Sequence, residues 1–194
     1  MKVLYRIGFI SVVLLLSFLF THKCVAQTLA FELKTAPELE FDFNTIDKYT
    51  FGITKMDAVI LNIKAEGVRW DLKVGADTSD GQHWDVKSEY STTGETPPID
   101  ILQLRFRNAS NTSLITGFFT ITDKSSPVYI IGTPNDKDTD INCPNQGTNT
   151  EGDYQTSPGC YRFNVDIKIV PGLNPIYKAG SYYMQINYML VEDL

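Results

Sequence analysis

Tyr161-Arg162-Phe163-Asn164-Val165-Asp166-Ile167-Lys168-Ile169 decides the fold. Tyr161, Phe163, Val165, Ile167 and Ile169 point one way, and Arg162, Asn164, Asp166 and Lys168 point the other. A period of two is that of a β-strand, here with one buried and one wet face. The same alternation recurs outward from this stretch. Val68, Trp70, Leu72 and Val74 alternate with Arg69, Asp71 and Lys73, and Leu102, Leu104 and Phe106 with Gln103 and Arg105. Near the C-terminus Tyr182, Met184, Ile186, Tyr188 and Leu190 share a face opposite Tyr183, Gln185, Asn187 and Met189. Val59 to Ile63 is denser in apolar residues and reads as a central strand. Shorter candidates are Leu29–Leu33, Leu39–Phe43, Tyr49–Ile53, Leu114–Thr122 and Val128–Ile131.

No stretch carries apolar residues at helical spacing over three turns, and Gly, Pro, Asn and Ser punctuate the chain often. This pattern predicts an all-β protein, an antiparallel Ig-like β-sandwich of about nine or ten strands, with a closed barrel as the other arrangement. The Gly132–Gly159 stretch is expected to be one long irregular loop.

The first 26 residues read as a secretory signal peptide. Lys2 and Arg6 precede an apolar run from Ile7 to Phe20, and Cys24-Val25-Ala26 offers small residues before Gln27. The run is shorter than the roughly 20 residues of a spanning helix. Residues 27–194 are then expected to form a single exported domain, bound for the periplasm, the cell surface or the extracellular space, with no membrane insertion after cleavage. Removing 26 of 194 residues leaves 168, with 14 Lys and Arg against 23 Asp and Glu. That acidic balance repels phosphate backbones and argues against nucleic acid as a partner. Cys24 leaves with the signal, so Cys143 and Cys160 remain and are expected to pair in an oxidising compartment. Closing that loop is worth about 3 kcal/mol in the chain-entropy model.

Chemistry has few footholds. His83 is the sole histidine after Gln27, which excludes a multi-histidine metal site and reads as a loop residue. No catalytic residue stands out and no enzyme is expected; a carboxylate-dependent glycoside hydrolase stays as the least favoured reading, because acidic residues are too many for any pair to be singled out. No cofactor is expected, with calcium as the exception to test. Asn135-Asp136-Lys137-Asp138-Thr139-Asp140 spaces oxygen ligands as calcium loops begin, with Asp136, Asp138 and Asp140 as the metal candidates. Ile141 then stands where an EF-hand needs its glycine, so a solvated acidic loop is the simpler reading.

Contact with a partner is the better-supported role. Leu29, Phe31 and Leu33 alternate with small or polar residues and form a strand-donation candidate: such a segment can add to another subunit's sheet, or else pair within its own domain. Trp84 and Tyr183 are ligand-contact candidates for a surface glycan, Trp84 because Gly81, Gln82 and Asp85 flank it, Tyr183 because it lies opposite an apolar face. Trp70, on an apolar face, belongs to the core.

Gly180-Ser181-Tyr182-Tyr183-Met184-Gln185-Ile186-Asn187-Tyr188 resembles the closing strand of the spore-coat-U/Csu-type bacterial pilin subunits, and Trp70-Asp71-Leu72-Lys73-Val74 after Gly67 is similar to their early strands. The resemblance covers some 30 residues. It implies an incomplete Ig-like fold, assembly by strand donation, and a donor segment at Leu29, Phe31 and Leu33. The 132–159 stretch and the Cys143/Cys160 pair depart from it. The expected function is a non-enzymatic structural or adhesive subunit of a bacterial surface or fimbria-like fibre, partnered by copies of itself or related subunits. A secreted carbohydrate-binding module is the alternative.

Overall fold

The computed structural model describes residues 27–35, 38–108, 114–133, 149–172 and 176–193. The signal-peptide expectation, Cys143, and the calcium candidates Asp136, Asp138 and Asp140 lie outside these residues. Among the described residues no helix is long and apolar enough to cross a membrane.

The chain is an antiparallel β-sandwich. Its larger sheet runs in the order β1 (Thr28–Thr35), β2 (Ile53–Glu66), β9 (Arg162–Ile169), β5 (Leu102–Asn108), β6 (Phe119–Thr120), and β8 (Gly152–Asp153) also pairs with β2. A three-stranded sheet places β3 (Trp70–Asp77) between β11 (Gln185–Glu192) and β7 (Val128–Ile131). A third ribbon pairs β10 (Gly180–Tyr183) with β4 (Asp85–Glu89). The described strands number eleven against the nine or ten expected; β4 and β8 were not anticipated.

One apolar cluster fills the space between layers. Leu61 and Ile63 of β2, Phe163, Val165 and Ile167 of β9, and Leu104 and Phe106 of β5 supply one side. Trp70, Leu72, Val74 and Ala76 of β3 supply the other. Aromatic edges bridge the layers: Trp70 lies 6.5 Å from Phe163 and Phe106 lies 6.3 Å from Tyr188, both T-shaped. Val59–Ile63 is central as expected, since β2 has β1 on one side and β9 on the other.

The outward side of β9 corrects the expectation of a simple wet face. Asp166 is fully buried. Its carboxylate accepts Arg105 Nε at 2.8 Å, Arg107 Nε and a second Arg107 nitrogen at 2.9 Å, and the Asp57 backbone N–H at 2.9 Å. The β2–β9 register shifts between Lys55 and Val59, and Asp57 sits in that bulge at φ 51°. The bulge thus folds over the sheet because Asp166 holds its backbone. The Asp57 carboxylate in turn accepts Asn164 Nδ2 at 2.6 Å and a bond from Arg107. Phe118 caps the row, with Arg105 4.4 Å and Lys168 5.6 Å from its ring centre. Burial pushes the Asp166 carboxyl up, but the bonds from Arg107, the Asp57 N–H and Arg105 outweigh it and hold it below the usual range.

Other expectations change locally. Tyr49–Ile53 is not a strand: Ile46–Phe51 forms helix α1, whose Thr45 hydroxyl accepts the Lys48 N–H. Leu39–Phe43 takes no regular structure, and of Leu114–Thr122 only Phe119–Thr120 is strand. Tyr161 lies in a one-turn helix α2 (Pro158–Tyr161) rather than in the strand that follows, and within the described part of the 132–159 stretch Gly152–Asp153 forms the short β8. The Tyr161 hydroxyl donates to Glu151 O at 2.6 Å and fixes that end of the segment.

Candidate functional site

β1 is joined to β2 by eight antiparallel register pairs, from Thr28↔Glu66 to Thr35↔Val59. It ends the sheet, so its outer edge has no neighbouring strand among the described residues. None of its side chains is buried. Leu29 alone reaches the core cluster, while Phe31 and Leu33 on the same face stay 44% and 41% exposed. Side-chain ties are few: Asn62 Nδ2 donates to Glu32 at 2.9 Å, the Thr35 hydroxyl to Ala58 O at 3.1 Å, and Gln27 Nε2 to Gly67 O at 3.2 Å. β1 is therefore held by main-chain bonds and very little apolar burial. Segments of that kind open at a fraction of the global unfolding free energy. The strand-donation candidates Leu29, Phe31 and Leu33 thus sit together on one edge strand that pairs within its own chain.

A second feature arises where the C-terminal segment changes sheet. Tyr183 pairs with Asp85 of β4, whereas Gln185 pairs with Asp77 of β3. Met184 between them belongs to neither strand, so the stretch read as one strand is two. The change leaves an open depression of about 320 Å³ lined by Asp77, Thr78, Ser79, Asp85, Tyr183, Met184 and Gln185. Tyr183 is 55% exposed there. Trp84 does not line it; its ring is half-buried against the core and its indole N–H is buried without a partner. Sequence reading picked out Tyr183 and missed the polar lining. Their signal, the Thr78–Gly81 turn next to Asp85, looked like any loop.

Hydrogen bonds tie down the two carboxylates that line the depression. Asp85 accepts the Ser79 N–H at 3.0 Å, and Asp77 binds Lys124 Nζ at 2.7 Å and Asn187 Nδ2 at 3.2 Å. The Lys124 bond chiefly holds the Asp77 carboxyl below its ordinary range. In the adjoining loop Asp80 accepts the backbone N–H groups of His83 and Gln82 at 2.7 and 2.8 Å, and these lower its carboxyl to about 2. The His83 ring is 2.8 Å from the same carboxylate and half-exposed, as a loop histidine would be.

Among the described residues, no group of three or more His, Cys, Asp or Glu is placed to hold a metal. Cys160 is buried and is not a free thiol, while Cys143 lies outside the described residues.

No family model matches the chain, and no curated protein matches it. The resemblance to spore-coat-U/Csu-type subunits therefore rests on its own residues. Among solved structures the chain is similar to the P pilus rod subunit PapA, at 12% identity and a TM-score of 0.35, over 89% of this chain and 97% of that one.

Proposed function

We propose that the chain is an exported, non-enzymatic subunit of a bacterial surface or fimbria-like fibre, and that it joins its neighbours by pairing β1 with the β2 edge of another copy. The observation that carries this reading is β1 itself: an eight-residue edge ladder with no buried side chain and two exposed large apolar residues. Exposed apolar edges are ready templates for strand addition. Exchange between copies remakes the same ladder in trans, so its balance is set by concentration and by the ordering lost on association. A Cys143–Cys160 bridge belongs to the same reading, as does cleavage before Gln27.

The test removes β1. A chain lacking Gln27–Thr35 should lose the oligomers formed by the chain that begins at Gln27, while keeping a β-type circular dichroism spectrum. A synthetic Gln27–Thr35 peptide should bind the shortened chain, and a peptide with Ser at Leu29, Phe31 and Leu33 should bind at least tenfold more weakly. A full chain that stays monomeric at high concentration, or a shortened chain indifferent to the two peptides, contradicts the proposal.

The depression beside Tyr183 supports a second reading, a carbohydrate contact. An exposed aromatic face ringed by Asp77, Ser79, Asp85 and Gln185 matches the stacking and hydrogen-bonding needs of a sugar ring. Tyr183→Ala should then remove glycan-array binding without changing the melting temperature by more than about 1–2 °C, given its exposure. An array blank for the intact chain excludes this reading.

A further inference from the structure

Asn62 of β2 lies on the sheet face opposite the core residues Leu61 and Ile63, yet it is only 1% exposed. Its register partners are Glu32 on β1 and Arg162 on β9. Arg162 Nε donates to Asn62 Oδ1 at 3.0 Å. An arginine side chain has no acceptor, so the amide atom facing it is the oxygen, and the NH2 group is turned to β1. There Nδ2 donates to Glu32 at 2.9 Å. Arg162 is itself placed by its neighbours: its guanidinium lies 5.7 Å from the centre of the Tyr154 ring, and the Tyr154 N–H donates to Ile63 O at 3.1 Å. The bond from Asn62, with a smaller part from the Lys34 charge, holds the Glu32 carboxyl below its ordinary range.

Apolar packing does little to fix where β1 lies along β2. No side chain of β1 is buried, and register is weakly specified where neither face of a strand is packed into a core. A slip of one residue would bring Phe31 or Leu33 opposite Asn62, and a slip of two would bring Ala30 or Lys34. None of these side chains can accept a hydrogen bond, so each would leave a buried amide donor orphaned. We propose that Asn62 reads the incoming strand: the groove beside β2 selects a partner strand that carries a hydrogen-bond acceptor, Glu32 in a second copy of this chain, between two apolar residues. This rests on the exchange of β1 between copies and adds its rule of selection. A strand with an apolar or basic side chain at that position is rejected by the unpaired amide, which is specificity by penalty as much as by attraction.

The test uses the chain from Gln27 onward carrying Lys64→Cys, and three Gln27–Thr35 peptides that each carry Ala30→Cys. One peptide keeps Glu32, one has Glu32→Gln and one has Glu32→Met, which keeps the length and loses the acceptor. Equal excesses of all three are warmed with the chain and cooled in a glutathione buffer, and the captured peptides are released and weighed by mass spectrometry. The Glu32 peptide should be captured at least tenfold over the Glu32→Met peptide. Asn62→Asp, added to the chain, still accepts from Arg162 but turns an oxygen to the groove. It should reverse the choice, taking the Glu32→Gln peptide, whose amide can donate, at least tenfold over the Glu32 peptide. Equal capture of all three peptides overturns the selection rule while leaving strand exchange standing. So does a preference for Glu32 over Glu32→Gln that survives Asn62→Asp. Capture of no peptide at all overturns strand exchange and the selection rule with it.

Discussion

Asp166→Asn is expected to lower the unfolding free energy by about 3–5 kcal/mol, the range found when one partner of a buried ion pair is removed. Two arginines are then left facing a neutral amide: Arg107, which is largely buried, and Arg105, which is mostly so. With the remaining amide oxygen turned to the two arginines on the Oδ2 side, the amide NH2 faces the Asp57 N–H, which loses its acceptor and with it the hold on a left-handed non-glycine backbone. The lost stability should appear as a lower urea midpoint with an unchanged slope. The pH dependence adds a second signature. The folded-state carboxyl of Asp166 lies below its ordinary value of about 3.9. Its contribution is fully present above that ordinary value and is lost as pH falls through the lower folded value. The parent should therefore lose stability below about pH 4 through this group, and Asp166→Asn should lack that part of the acid limb. A variant within 1 kcal/mol of the parent contradicts the network as described.

Trp70→Ala carries the other large effect, about 3–5 kcal/mol. Trp70 is fully buried and touches both Tyr161 and Phe163 across the layers. Its indole N–H donates to Thr150 O at 2.8 Å, tying β3 to the segment that leads into β8. Trp70→Phe separates the two contributions. It keeps most of the aromatic volume and drops the indole bond, for an expected cost of about 1–2 kcal/mol. Denaturant melts of both variants measure the difference. If Trp70→Phe costs as much as Trp70→Ala, the Thr150 bond rather than packing holds this corner.

The two-residue alternation of 161–169 and 102–106 is enough to read two strands and their core faces, because burial on one side imposes that period directly. It says nothing of how the other face is shielded. Asp166 reads as a solvent residue, and its burial depends on Arg105 and Arg107 from a strand some sixty residues away. Alternation also hides the break at Met184, since both halves keep a period of two while changing partner. For α1 the signal was present and local: Thr45 as cap and Asp47 in the first turn. Tyr49–Ile53 is too short for its apolar residues to tell a helix from a strand by period. Of the candidate sites, the strand β1 followed from the alternation of Leu29, Phe31 and Leu33, whereas the exposure of Phe31 and Leu33 did not. The depression did not, because Asp77, Asp85 and Gln185 come together only through the change of sheet.

Cross-linking in trans addresses β1 exchange most directly. Ala30 pairs with Lys64 in register on the outward face of the ladder. A chain carrying both Ala30→Cys and Lys64→Cys should close a disulfide within itself, which checks the register. Equal amounts of the two single variants, mixed, opened by mild heating and cooled under oxidation, should then give a covalent heterodimer whose disulfide joins the two introduced thiols across chains. A mixture that yields only uncrosslinked chains, while the double variant closes, contradicts assembly through β1.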